Sequence, residues 1–150
     1  MKFRFRLARV LQVKKIWEDQ AKLKLAAAVT ACKREEQLLS QKKAHFYAAW
    51  TRLTASGQKE AQWMQEHFML AQMGKDDHEQ QKTRVQEANS AFERAQGEFV
   101  QRRAQRRVLS RLEEKSWAEF IQEAQRKELK QLDEVASTSH LKHQRRIRGG

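Results

Sequence analysis

Few residues of this sequence have the type and spacing that catalysis or metal binding requires. The histidines lie at positions 45, 67, 78, 140 and 143. His140 and His143 are three apart and could share a helical face, but no cysteine or carboxylate is grouped with them, so we interpret them as solvated. The single cysteine, Cys32, falls on a predicted core position and behaves there as a small hydrophobe. No phosphate loop, zinc spacing or nucleophile elbow is visible, so we predict no catalytic residue, metal or cofactor.

Basic residues carry the first functional hint, because they cluster at both ends of the chain. The two terminal sets are Arg4, Arg6 and Arg9, and Arg145, Arg146 and Arg148. With 31 Lys+Arg against 19 Asp+Glu, the formal net charge is +12. Such a surface attracts an acidic partner. Nucleic acid is one candidate, but no nucleic-acid-binding module is visible, and the charge also suits a solvated coiled coil.

Aromatic and methionine side chains carry the second hint, because they crowd into the middle of the chain. The set comprises Phe46, Tyr47, Trp50, Trp63, Met64, Phe68, Met69, Leu70 and Met73. One helical seam cannot bury them all. Two interpretations remain: a small local core of three helices, which we prefer for most of them, or an exposed patch that binds a partner.

The composition is typical of long helices. The 150 residues include no proline and five glycines, 33% are charged and 39% are hydrophobic. This apolar content suits a narrow seam between helices and argues against β folds and most enzymes. No apolar run reaches 18 residues, and charges recur through the first 25, so we expect neither a membrane span nor a secretory signal. The lone cysteine fits a reducing cytoplasm.

The hydrophobic pattern is a heptad repeat. In the first part of the chain it predicts seam positions 7, 11, 14, 18, 21, 25, 28, 32, 35, 39, 42, 46, 49 and 53, of which ten are apolar. The exceptions are Lys14, Glu18, Glu35 and Lys42. A second repeat runs from Val85 to Val135. It weakens over residues 102–107, where we expect a stutter that shifts the register.

These patterns predict an all-α fold, a long two-helix antiparallel coiled-coil hairpin. Helices are expected over 3–55, 58–73 and 76–136 in a single domain of residues 1–136, with a flexible basic tail at 137–150. Gly57 and Gly74 suit helix C-termini. The short helix either caps the hairpin or continues the first helix, which leaves the turn at Gly57 or at Gly74. Because the two repeats satisfy each other, we expect a monomeric rod roughly 75–90 Å long.

Three segments resemble the FliJ family of small flagellar type III export proteins. They are the opening FRFRLARVLQVK (residues 3–14), the stretch from WTRL (50–53) to Phe68, and KELKQLDEVA (127–136). The resemblance extends over essentially the whole chain. Injectisome stalk proteins are close relatives and remain an alternative, as does a nucleic-acid-binding coiled coil, which would bind in a steeply salt-dependent manner. A dimerising structural coiled coil is a further alternative.

The resemblance implies a stalk without catalytic residues of its own. Its terminal end would sit in the pore of the hexameric export ATPase, and its other end would reach the export gate in the membrane. It would also handle the chaperones of export substrates. The protein would then be cytoplasmic and peripherally associated with the inner membrane at the flagellar base, with a role in motility and chemotaxis.

The resemblance also assigns residues to the two contacts by position. The ATPase contact would use Arg4, Arg6, Arg9, Arg145, Arg146 and Arg148. The export-gate contact would use Phe46, Trp50, Trp63, Phe68 and Met73.

Overall fold

The computed structural model describes residues 2–55 and 57–148 and contains two helices. Helix α1 spans Ala8–Thr54 (47 residues) and helix α2 spans Ala61–Arg148 (88 residues). The helices pack against each other, and the described residues include no strand. The predicted all-α helical hairpin is therefore confirmed.

A non-helical arm, residues 2–7, precedes α1, although the first helix was predicted to begin at residue 3. Along the arm, Phe3, Phe5 and Leu7 are half-buried and alternate with the exposed Arg4 and Arg6. The alternation has a period of two, and the chain turns at residues 6–7, where the Ala8 amide donates to the Phe5 carbonyl oxygen, 3.3 Å away. In a helix Phe3 and Leu7 would share one face and Phe5 would lie on the opposite one. The helical ladder begins where the Leu11 amide donates to the Leu7 carbonyl oxygen, 2.9 Å away.

The turn of the hairpin lies at residues 55–60, which decides between the two glycines. Gly57 has φ +138°, a backbone conformation that side chains other than hydrogen rarely allow. The Lys59 ammonium donates to the carbonyl oxygens of Arg52 and Leu53, at 2.5 and 3.3 Å. These carbonyls have no partner inside α1, so Lys59 closes the helix end.

Gly74 lies inside α2, so the predicted separate helices 58–73 and 76–136 are one helix. An interior glycine costs only about 1 kcal/mol relative to alanine, too little to break a helix that packs on both sides of it. Ala71 and His78, one turn away in either direction, are both buried. Helix α2 also continues past residue 136 to Arg148. The flexibility of the tail stays a prediction, and residues 149–150 lie outside the described part.

The chain divides into two compact units, and both helices contribute to each. Unit 1 comprises Met1–Lys15 and Ala104–Gly150, and unit 2 comprises Ile16–Arg103. Unit 2 contains the turn, and unit 1 contains both ends of the chain.

The seam on α1 matches the heptad prediction. All fourteen predicted positions are buried or half-buried, including the polar Lys14, Glu18, Glu35 and Lys42. The seam is thin, as the composition indicated. Among the described residues, the buried hydrophobic side chains are Leu11, Ala21 and Ala71.

The seam on α2 contradicts the predicted stutter. Buried or half-buried residues recur in strict steps of four and three, at 67, 71, 74, 78, 81, 85, 88, 92, 95, 99, 102, 106, 109, 113, 116 and 120. Arg102 and Arg106 occupy seam positions in the supposed weak zone. The Arg102 guanidinium lies 4.7 Å from the centre of the Trp17 ring, so a cation–π contact replaces apolar packing there. The heptad continues where the hydrophobic pattern fades.

Candidate functional site

Among the residues considered for chemistry, Cys32, His67 and His78 make contacts that give them a structural role. The Cys32 thiol is half-buried and donates to the Ala88 carbonyl oxygen, 3.2 Å away. Within residues 2–55 and 57–148, no group of three His, Cys, Asp or Glu side chains could hold a metal ion. His78 is buried with its ring parallel to Phe46, and His67 stacks on Trp63. The two predicted contact surfaces are therefore the candidate sites.

Most of the aromatic and methionine set is exposed, so the expected three-helix core is wrong. There is no third helix in the described chain to cover them. Trp50, Phe68 and Met73 are 46%, 53% and 61% exposed. The same holds for Tyr47, Met64, Met69 and Leu70. Exposed apolar side chains are therefore concentrated on both helices near the turn in unit 2.

Three of the five predicted gate residues meet in one groove. Phe46 and Trp50 from α1 face Phe68 from α2 across a space of about 250 Å³. The remaining lining comes from Ala71, Gln72 and Lys75. We call this space the aromatic groove. Its α2 wall has the spacing of a single helical face, since 68, 71, 72 and 75 are separated by three, four and seven residues.

The other two predicted gate residues lie outside the groove. Trp63 is half-buried and stacks on His67, with ring centroids 3.7 Å apart. The Lys59 ammonium lies 4.7 Å above the Trp63 ring. Because Lys59 also closes α1, Trp63 belongs to the structure of the turn. Met73 is exposed but does not line the groove.

Lys75 and Gln72 are groove residues that the sequence prediction missed. The prediction selected aromatic and methionine residues only, so it passed over polar neighbours on the same helical face. Stepping by three, four and seven from Phe68 reaches both Gln72 and Lys75. That spacing was available in the sequence once Phe68 was chosen as an anchor.

Three of the predicted ATPase-binding arginines lie on or beside the arm of unit 1. Arg4, Arg6 and Arg9 are exposed. The arm is held by Phe3, whose ring meets Trp117 edge-on, with centroids 4.9 Å apart, and lies 5.5 Å from Phe120. Edge-to-face packing of this kind adds to the burial of apolar area. The arginines therefore project from a segment that aromatic packing fixes in place.

The C-terminal arginines belong to the far end of α2. Arg146 is exposed and follows Phe120 by 26 residues, about 39 Å along α2. The backbones of Arg145 and Arg148 belong to the last turns of α2, while their side chains lie outside the described part. The sequence prediction placed both arginine sets at one pole, whereas Arg146 lies far along α2 from Phe120, one of the rings that hold the arm.

These features define an all-α helical-hairpin protein with surfaces suited to protein contacts. No helix among the described residues is both long and apolar enough to cross a membrane. The family model of the flagellar FliJ protein matches residues 2–145, nearly the whole chain. The chain therefore belongs to the FliJ family and is a component of flagellar type III export. Neither a curated protein nor a solved structure matches it significantly.

Proposed function

We propose that this chain is the stalk that couples the hexameric flagellar export ATPase to the export gate. Membership of the FliJ family supports a role in export. The observation that supports the stalk proposal is that exposed basic residues and exposed aromatic residues belong to different units. Exposed arginines lie on the arm of unit 1, and exposed aromatic residues surround the turn of unit 2.

The arm of unit 1 supplies the ATPase contact. A hexameric ring presents the same polar and acidic groups six times, and positive charges can engage them through long-range attraction. Packing of Phe3 on Trp117 keeps Arg4 and Arg6 pointing to solvent before binding, which lowers the cost of ordering them in the complex. Arg146 and its neighbours at the end of α2 form a second contact with the same ring.

The surface around the turn supplies the gate contact. A stalk must hold one orientation at the gate, and buried aromatic anchors provide it, since few such residues dominate the free energy of an interface. Trp50 and Phe68 are the exposed anchors. In this proposal the protein acts as a monomer at the cytoplasmic face of the inner membrane and passes export chaperones to the gate, without catalysing a reaction itself.

The test is the turnover of the cognate export ATPase with and without this protein. We expect stimulation by the wild type, and loss of most of it in Arg4→Glu/Arg6→Glu/Arg9→Glu. A matched triple reversal on exposed residues of unit 2, Lys22→Glu/Lys33→Glu/Arg34→Glu, changes the net charge equally and should retain stimulation. If the wild type leaves both turnover and hexamer assembly unchanged, the stalk proposal fails.

A further inference from the structure

The aromatic groove has chemistry specific enough to indicate what it binds. We propose that it receives one aromatic side chain from a partner protein segment, with a carboxylate beside that side chain pairing with Lys75. This inference rests on the proposed function, because it names the chemistry of the gate contact. It is tested separately below.

The floor of the groove is fixed by packing. Ala71 is 1% exposed, and the Phe46 ring lies nearly parallel to the buried His78 ring, with centroids 6.1 Å apart. Gly74 lies close to the Phe46 backbone, since a Cβ at this glycine would be 3.6 Å from the Phe46 Cα, an ordinary contact distance. A floor held in this way does not need to reorganise when a ligand enters.

The walls are the exposed parts of Trp50 and Phe68. They come from different helices and leave about half of their surface to solvent. A third ring placed between them can contact each in an offset or edge-to-face arrangement. An inserted ring would displace water from between these two aromatic walls, which offer that water no hydrogen-bond acceptor.

The size of the groove selects a side chain over a small molecule. Its volume of about 250 Å³ lies below the range of about 300–1,000 Å³ typical of cofactor and drug-sized ligand sites. One aromatic side chain fits such a space, and its backbone would then run along the rim. Met64, one turn before Phe68 on the same face of α2, is also exposed. Flexible methionines adapt to the shape of a partner and exclude water around an anchor.

Lys75 sets the charge of the ligand. It is the one ionised side chain that lines the groove. Its possible i+4 partner Glu79 pairs with Lys82 instead, at 3.1 Å, and no carboxylate among residues 2–55 and 57–148 lies within ion-pair distance of the Lys75 ammonium. A cation at the edge of an apolar groove is best complemented by a carboxylate next to the inserted ring. The net charge of +12 favours an acidic partner segment as well.

The first experiment uses two dipeptide amides as probes of the full chain. Acetyl-Asp-Phe-amide and acetyl-Lys-Phe-amide present the same ring beside opposite charges. NMR titration should show the Trp50 indole N–H shifting with the acidic probe at about threefold lower concentration than with the basic one, the size expected for an exposed ion pair. The indole signals of Trp17 and Trp117 are internal controls and should not move.

Lys75→Glu provides the decisive variant for these probes. We expect it to reverse the preference, so that the basic dipeptide shifts the Trp50 signal first. Lys33→Glu makes the same charge change at an exposed position on α1 and should leave the preference unaltered. Equal response to both probes, or equal effects of the two reversals, overturns the inference. So does the absence of any Trp50 shift.

The second experiment measures binding to the purified cytoplasmic part of the cognate export gate. Phe68→Ala and Lys75→Glu should each weaken binding about tenfold or more, whereas Met69→Ala, at an exposed position outside the groove lining, should have little effect. Circular dichroism first checks that each variant is folded. If the wild type binds the gate and neither groove variant weakens it, the groove inference fails and the gate contact stands. If the dipeptide preference holds but the gate does not bind, the groove stands and the proposed gate partner is wrong.

Discussion

The side-chain amide of Gln81 binds Glu35 twice. Its nitrogen donates to the main-chain carbonyl oxygen of Glu35 at 3.0 Å and also to the Glu35 carboxylate. Gln81 is fully buried, and its own carbonyl oxygen Oε1 has no partner among the described residues. A bond to a main-chain oxygen ties α2 to one residue of α1. This pair therefore fixes the register of a seam in which most neighbours are small or apolar.

Gln81→Ala should lower the free energy of unfolding by about 2 kcal/mol, because it opens a cavity and leaves Glu35 without its donor. Gln81→Leu should lose less, since leucine fills the space and removes the unpartnered oxygen. Urea denaturation followed by circular dichroism gives both values. A leucine variant less stable than the alanine variant would show that the double hydrogen bond outweighs the buried oxygen.

Replacing Gly74 and Gly57 by alanine should change the stability of the protein in opposite directions. Gly74→Ala should stabilise the protein by up to about 1 kcal/mol, because the new methyl group makes ordinary contacts with Phe46 inside a helix. Gly57→Ala should destabilise it, because φ is +138° there. Thermal melting compares the two variants. Gly97→Ala, in open space within α2, is the control for helix propensity alone.

Phe3→Ala should release the arm from Trp117 and Phe120. Losing a half-buried ring should cost unit 1 about 1–2 kcal/mol. The faster amide exchange of residues 112–122 would measure this loss. The variant should also weaken ATPase stimulation, although no arginine is changed, because Arg4 and Arg6 would no longer be held in place. Stimulation at the wild-type level would mean that the arginines act without the arm.

The last part of α2 should exchange its amide protons much faster than the rest of the helix. Every residue from 125 to 144 is exposed, and the Thr138 hydroxyl donates within its own helix, to the Glu134 carbonyl oxygen. Helices without tertiary packing are marginal in water. Hydrogen exchange should show protection falling after residue 124. Uniform protection through residue 147 would contradict the expected fraying of the tail and indicate a bound partner or a second copy.

Acid should weaken α2 around Glu123. The hydrogen bond from the Lys127 ammonium, 2.8 Å away, lowers the pKa of the Glu123 carboxyl. A carboxyl with a lowered pKa in the folded state stabilises that state at neutral pH, and the contribution is lost as the pH falls through that pKa. Carbon chemical shifts of residues 119–131 should report a small loss of helix on acidification. Glu123→Gln should remove the part due to this pair.

Local sequence predicted α1 more completely than α2 for physical reasons. In α1 most seam positions are apolar, so the heptad repeat of apolar residues predicted the buried positions correctly. In α2 the seam includes Gln81, Arg102 and Arg106, whose burial depends on partners such as Glu35 and Trp17 that sequence alone does not identify. Local chemistry also could not choose between Gly57 and Gly74 as the turn. The packing of Phe46 against Gly74 is a tertiary contact, and Lys59, which closes α1, lies outside that helix, within the turn.

The candidate sites were predictable to different degrees. The aromatic residues of the groove were identified by type, and a charge count identified the arginines. The positions of the two arginine sets in the fold could not be predicted in this way. They depend on where α2 ends and on an arm in which Phe and Arg alternate. The alternation of Phe and Arg in residues 3–6 is present in the sequence, but the heptad pattern predicts a helix from residue 3.

The tight turn at Gly57 constrains how the length of this protein can change. Glu35 lies 19 residues before the end of α1, and Gln81 lies 20 residues after the start of α2, so the connection keeps them opposite each other. Inserting one residue between either of them and the turn would rotate part of its helix by about 100° and shift the pairing. We therefore expect viable length variants to gain or lose whole heptads in pairs, one on each side of residues 55–60.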